Sequence, residues 1–351
     1  MKRHHIPWII LGAATTLGLI AATWWGLSQK RSPSYQVSGW LPPYAGAAGQ
    51  QSLLDNLDAV DEINFFWYVM TAEGTIVDQS SAEHRALLPT IRQAGLRVVP
   101  TVINEFDPDR VHAVLHDEAK RTAHIQALVE LVQENAYDGI EIDYEGLHAT
   151  SRDDFSAFIE ELARALHREK KRVAIAVHPK TAPGGSWDGP RAQDWTRIGA
   201  AVDEFKIMTY DYHWSTSEAG PIAPPHWIDQ VLTFAEQVVL ADKIWMGIPF
   251  YGYVWKEKDG LGLTWREMEQ RAKLFRAQPT RDPDSQEMTF TYVTAQQETY
   301  TAYYQDAASI AAKLDVLLNK HPDIAGICIW RLGDQDPAVW EVIGTRLKPG
   351  K

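Results

Sequence analysis

Apolar residues recur along this chain with two alternating periods. Short runs rich in β-branched and aromatic residues read as strands: "YQVSGWL", "EINFFWYVM", "RVVPTVI", "DGIEIDYE", "RVAIAVHPK", "EFKIMTYD", "KIWMGIPFYG" and "AGICIWRL". Between most of them lie longer segments with helical period, such as "TAHIQALVELVQENA" and "RDDFSAFIEELARALHREK". Eight strands alternating with helices predict an α/β protein, a (β/α)8 TIM barrel of parallel strands. An open doubly wound sheet is the alternative, but no Gly-rich phosphate loop follows any of these strands. One connection is long. Between strands seven and eight, "TWREMEQRAKLF" opens on a capping-box pattern, Thr264 to Glu267. "EMTFTYV" and "TYTAYYQ" flank "TAQQE" as a hairpin does, and "DAASIAAKLDVLLNK" then reads as the barrel helix. A small α+β insertion is therefore expected at about 256–305, on the face where barrel active sites form.

The fourth strand is unusual. In "YDGIEIDYEG" apolar residues alternate with acids, so Glu141, Asp143 and Glu145 share one face and Ile140 and Ile142 the other. The isoleucines demand burial against helices, which turns the acids into the barrel, with Glu145 at the C-terminal mouth. Packed carboxylates cannot all ionise in a place of low dielectric, so at least one keeps its proton and is available as a general acid. A solvated edge strand and a divalent-metal site are the competing readings of the column, and the buried isoleucines argue against the first.

Composition narrows the partners. The chain has 351 residues and a net charge of -12, which argues against nucleic acid. Cys328 is the only cysteine, so there is neither a disulfide framework nor a cysteine pair for zinc. No spacing makes a metal pair of His178 and His213, and Cys328 reads as a small buried residue. At the N-terminus, basic "MKRHH" precedes a run without charge from Ile6 to Ser28, close to the roughly 20 residues that span a bilayer. Trp8, Trp24 and Trp25 stand near its ends. The expectation is a transmembrane signal anchor and linker over 1–35, followed by a barrel over 36–348. The body would lie outside the cytoplasm, or be secreted if the segment is cleaved.

Several motifs now resemble one family, glycoside hydrolase family 18. Its Asp-Gly-x-Asp-x-Asp-x-Glu signature is matched by Asp138, Gly139, Asp143 and Glu145, with Glu141 in place of an aspartate. "KIMTYDYHW" resembles its Met-x-Tyr-Asp motif at Met208, Tyr210 and Asp211, "MGIPFYGYVW" its Gly-x-Pro-x-Tyr-Gly segment, and "GICIW" its last strand ending in tryptophan. The span "YDYHWSTSEAGPIAPPHWIDQVL" is most similar to the bacterial branch that includes spore-cortex-lytic N-acetylglucosaminidases. The Ser-x-Gly-Gly motif of strand three is absent, and "TVINEF" stands there with Asn104 as a polar substitute. The resemblance implies substrate-assisted hydrolysis of β-1,4-linked N-acetylglucosamine polymers, chitin or peptidoglycan, with no metal or organic cofactor because the substrate supplies the nucleophile; a monomer is expected. It makes Glu145 the acid and then the base. Asp143 would stabilise the substrate's acetamido N–H, Tyr210 would hold the acetamido oxygen, and Asp211 would bind nearby.

Trp40, Trp67, Trp214, Trp255 and Trp330 fall at or just after C-terminal strand ends. Indoles there suit the apolar faces of sugar rings, although core packing is the equal alternative for each. Trp330, Trp40, Trp255, Asp211, Glu141 and Asn104 are therefore the expected substrate-binding residues, and Glu145, Asp143 and Tyr210 the catalytic ones. A carbohydrate-binding barrel of the same family without catalysis is the second class. The presence of Glu145 favours the enzyme.

Overall fold

The computed structural model describes residues 35–349. Eight parallel strands follow one another in chain order: β1 (Gln36–Leu41), β2 (Glu62–Met70), β3 in two pieces (Arg97–Val98 and Thr101–Ile103), β4 (Gly139–Asp143), β5 (Arg172–Val177), β6 (Glu204–Ile207), β7 (Ile244–Pro249) and β8 (Gly326–Trp330). Each pairs in parallel with its neighbour. The ring closes where Gln36 of β1 faces Gly326 of β8. Closure leaves no edge and excludes the open sheet.

The alternation in each strand decides what lies on either side of the ring. Ile140 and Ile142 of β4, Val173 and Ile175 of β5, and Phe205 and Ile207 of β6 are fully buried in the layer shared with the surrounding helices. That layer includes Phe158, Leu162 and Leu166 of the helix Arg152–Arg168. The interior holds a second, small apolar cluster of Trp40, Ala176, Trp245 and Cys328. Beside it lie charges: Glu62, Glu141, Glu204 and Lys206 are all at 0% exposure. Most barrels fill this space with branched aliphatic residues; this one fills much of it with an ion cluster.

Strand seven ends earlier than its sequence suggests. The barrel pairing stops at Pro249, opposite Trp330, and Phe250 N–H donates to the Trp330 carbonyl oxygen at 2.6 Å. Tyr251 already pairs antiparallel with Thr264, in a separate five-stranded sheet. Its strands are Asp259–Thr264, Tyr251–Lys256, Thr299–Tyr304, Met288–Val293 and Thr280–Arg281, in spatial order. The insertion thus begins at Tyr251 rather than near 256 and has more strands than one hairpin. The helix Trp265–Phe275 starts at a closed capping box and buries Met268 and Ala272 against Phe290, Tyr292 and Tyr304. The apolar run Ile6–Ser28 lies outside the described residues. Among those described, no helix is long and apolar enough to cross a membrane.

Candidate active site

Strand β4 delivers the acids, and its neighbours fix how. At Gly139 a Cβ would stand 2.4 Å from the Arg172 carbonyl oxygen, so only glycine lets β4 and β5 approach here. Asp138 accepts a hydrogen bond from Val98 N–H at 2.8 Å and ties the start of β4 to β3. The strand ends at Asp143, and Glu145 sits two residues beyond. Asn104 clamps that end. Its Nδ2 donates to the Glu145 carbonyl oxygen and its Oδ1 accepts from Glu145 N–H, each at 2.8 Å. Asn104 therefore positions the backbone of Glu145 and does not line the cleft. Its amide is fully engaged with backbone, which corrects its expected role in substrate binding.

At the C-terminal ends of the strands is a cleft of about 320 Å³. Asp143, Glu145, Tyr210, Asp211, Trp40 and Trp330 all line it, brought from four strands to one place. Trp330 is half-buried and meets Trp40 and Phe66 edge-on, with ring centroids 6.0 and 5.0 Å away. Asp211 has φ of 59°, a left-handed conformation that a non-glycine residue adopts at a cost. The Tyr251 hydroxyl donates to its Oδ1, and Tyr253 lies 3.5 Å from its Oδ2.

Glu141 is one layer below the cleft, with no exposure. Trp40 Nε1 donates to its Oε1, as does Thr101 Oγ1 at 2.8 Å, and Lys206 Nζ stands 2.7 Å from its Oε2. With these partners Glu141 supports the site from beneath and does not line the cleft, whereas the sequence places it among the substrate-binding residues. Lys206 also stands 2.7 Å from Glu62 and 3.5 Å from Glu204. Burial disfavours the ammonium, but Glu141, Glu62 and Glu204 outweigh it and hold its pKa up.

These surroundings set the charges in the cleft. Burial, followed by the charge of Glu141, pushes the Asp143 carboxyl up to about 8. Its Oδ1 has no hydrogen-bond partner. Burial raises Glu145 well above the usual carboxylate range, and the charges of Asp143 and Asp211 add to that. Burial also lifts Asp211 to about 6 against the two tyrosine hydroxyls, which pull it down. The neighbouring carboxyls Asp143 and Glu145 are therefore a pair that retains a proton at neutral pH. Above Glu145, His178 Nδ1 is 3.6 Å from Oε2, and burial next to Lys180 lowers this imidazole to about 4. It faces the acid as a neutral group.

Of the five tryptophans at strand ends, Trp40 and Trp330 line the cleft and the others do not. Trp255, expected to bind substrate, is buried away from the cleft wall, its indole N–H donating to the Trp214 carbonyl oxygen at 2.9 Å. Trp67 stacks on Phe65 at 4.0 Å within the outer core. Trp214 is exposed away from the cleft wall. Several wall residues were not foreseen: Tyr44, Phe106, Tyr251, Tyr253 and Arg331. The period-two aromatics of "YGYVW" are the one available signal, since they put Tyr251 and Tyr253 on a common face. Phe106 is presented by two successive left-handed residues, Glu105 at φ 54° and Phe106 at 58°, which no periodicity marks. Another hollow, of about 410 Å³ and lined by Asp58, Asp61 and Arg97, contains none of these groups. Among the described residues no set of three His, Cys, Asp or Glu side chains is arranged to hold a metal ion.

A closed parallel barrel with paired acids, a tyrosine and indoles at the C-terminal strand ends defines the glycoside hydrolase class of barrel. The sequence profile of glycosyl hydrolases family 18 matches residues 43–336, and the chain belongs to that family. It is 31% identical over 244 residues to the uncharacterized glycosylase YvbX of Bacillus subtilis (strain 168), covering 69% of this chain and 70% of that one. The cortical fragment-lytic enzyme of the same organism is 24% identical over 298 residues, 83% of this chain and 69% of its own. Among solved structures, a chitinase from Chromobacterium violaceum ATCC 12472 superposes with a TM-score of 0.82 at 27% identity, covering 90% of this chain and 99% of that one.

Proposed function

We propose that the protein is a retaining glycosidase that cuts β-1,4-linked N-acetylglucosamine polymers, chitin or peptidoglycan, acting as a single chain. The observation that carries this reading is the proton-retaining Asp143–Glu145 pair, in one cleft with Tyr210, Trp40 and Trp330. Glu145 gives its proton to the glycosidic oxygen as the bond to the anomeric carbon breaks. The acetamido oxygen of the substrate attacks that carbon and closes an oxazolinium ring. Asp143 gives up its own proton to solvent as substrate binds and, as the anion, accepts a hydrogen bond from the acetamido N–H, where positive charge grows. The Tyr210 hydroxyl donates to the acetamido oxygen and aims it. Glu145 then takes a proton from water as it opens the ring, and the β-configuration is restored. Asp211 is tied by two tyrosine hydroxyls and so serves binding rather than attack. The names of relatives, a chitinase and a cortical fragment-lytic enzyme, support both polymers as substrates. The uncharged run Ile6–Ser28 supports an anchored body outside the cytoplasm; fractionation and protease accessibility on intact cells test that, and a protease-protected body refutes it.

The mechanism is tested with the substrate. A thiazoline analogue of the cyclic intermediate is expected to inhibit strongly, because it resembles a state the site stabilises. Oligomers with glucosamine next to the scissile bond should bind and stay uncut. Inversion at the anomeric carbon, or a trapped glycosyl–enzyme ester, would falsify substrate assistance.

A further inference from the structure

Arg331 is the only cation among the described residues that line the cleft. It follows β8 directly and is half-buried. Its contacts are a hydrogen bond from Nη1 to the Leu332 carbonyl oxygen at 3.3 Å and the ring face of Tyr44, 5.2 Å from the guanidinium carbon. No carboxylate among the described residues pairs with it, and the acids around the cleft are engaged elsewhere. Glu267 closes the capping box, accepting from Thr264 N–H at 2.7 Å. Asp211 is bound by the two tyrosines. Asp334 pairs with Arg266 at 2.6 Å. Burial holds Asp143 and Glu145 protonated.

A guanidinium left uncompensated on a cleft wall loses hydration when a sugar chain covers it. A polymer of N-acetylglucosamine alone is neutral and offers it only hydroxyls and amides. A glycan whose alternate units carry a lactyl carboxylate, or a peptide joined through that lactyl group, offers an anion of the geometry that a guanidinium fork binds best. We propose that Arg331 binds a carboxylate of the substrate, so that the cleft prefers an acidic N-acetylhexosamine glycan to a neutral one. The proposal takes from the glycosidase reading only that a sugar strand occupies this cleft. Tyr44, exposed at 69%, lies with its ring 5.2 Å from the guanidinium carbon and supplies no anion to neutralise it.

The test uses the full chain and four probes: chitohexaose, peptide-free strands of alternating N-acetylglucosamine and N-acetylmuramic acid, the same strands with the lactyl carboxyl methylamidated, and strands bearing their peptides. Binding is measured calorimetrically in a Glu145→Gln background, and turnover in the parent. Acidic strands should bind about tenfold more tightly than chitohexaose, with the preference lost in Arg331→Gln and partly kept in Arg331→Lys. Methylamidation removing the preference assigns the lactyl carboxylate, whereas a preference confined to peptide-bearing strands assigns a peptide carboxylate; either supports the proposal. An acid-to-neutral ratio unchanged in Arg331→Gln overturns it. So does a wild-type preference that the methylamidated, uncharged strands keep in full, which also decides the matter if the variant fails to fold. Acidic strands that bind through Arg331 but are never cut would sink the glycosidase reading and leave this one standing.

Discussion

Asp143 is a buried carboxyl flanked by carboxyls above and below, and that position makes it a source of pH-dependent instability. Its pKa is raised to about 8 in the folded protein, against 3.8 as the reference value. Between these values the native state holds a proton that the unfolded chain has released. Stability therefore falls as pH rises through that window, by at most about 1.4 kcal/mol per pH unit from this group. Asp143→Asn removes the ionisable group. The variant should be inactive and more stable than the parent at pH 8, with the difference vanishing near pH 4. Urea unfolding at several pH values measures this, and a constant difference across the range would contradict the assigned proton. Glu145→Gln separates chemistry from binding at the next residue along. Turnover of unactivated substrate should fall about 10²–10⁴-fold while oligosaccharide affinity is kept, as kcat and calorimetric binding together would report. Near wild-type turnover in this variant would remove Glu145 from the mechanism.

At the scale of elements, β4 was the most legible part of the chain. Isoleucine alternating with acid can satisfy burial only by turning the acids inward, and the structure does this. What the pattern omits is the partner of Glu141. Lys206 comes from β6, where "EFKIM" alternates just as clearly, but the meeting of two inward side chains across a barrel depends on register and tilt. The end of β7 was hidden for a related reason: a strand that leaves one sheet for another keeps its alternation, so Pro249 and Tyr251 look continuous. Trp255 misled through the same strand, since its parity places it correctly in a sheet that is not the barrel. Asn104 looked like a binding group because a backbone clamp and a ligand contact need the same amide. The β6–β4 link also carries stability. Lys206→Met leaves Glu62, Glu141 and Glu204 buried without their ammonium and should cost about 3–5 kcal/mol. Adding Glu141→Gln removes one stranded charge, so the double variant should lose less than the sum of the single losses. Denaturant midpoints of the four proteins close this cycle, and strict additivity would mean the two side chains do not interact.

Across the whole molecule, barrel and insertion share the task of building the cleft, and one buried carboxylate joins them. The barrel supplies Asp143, Glu145 and Trp330, while the insertion supplies Tyr251 and Tyr253, which hold Asp211 on the loop after β6. That loop is anchored at its far end by Glu287. Oε2 accepts from Ile222 N–H and Oε1 from Ala223 N–H, each at 2.8 Å, and Lys313 of the helix Ala307–Lys320 stands 3.3 Å away. The carboxylate has no exposure, so both amides depend on it rather than on water. Glu287→Ala frees two buried donors and an ammonium together. It should destabilise the protein by about 3–5 kcal/mol and speed hydrogen exchange at Ile222 and Ala223 far more than in the strands. Asp211, strained at φ 59° and held from one side only, should then lose its place, so kcat/KM falls even at temperatures where the barrel stays folded. Glu287→Gln keeps one acceptor oxygen for two donors and should fall between parent and alanine variant. Amide exchange by mass spectrometry alongside steady-state kinetics reads both effects. Fast exchange at Ile222 and Ala223 with undiminished kcat/KM would show that the loop's far anchor does not reach the site.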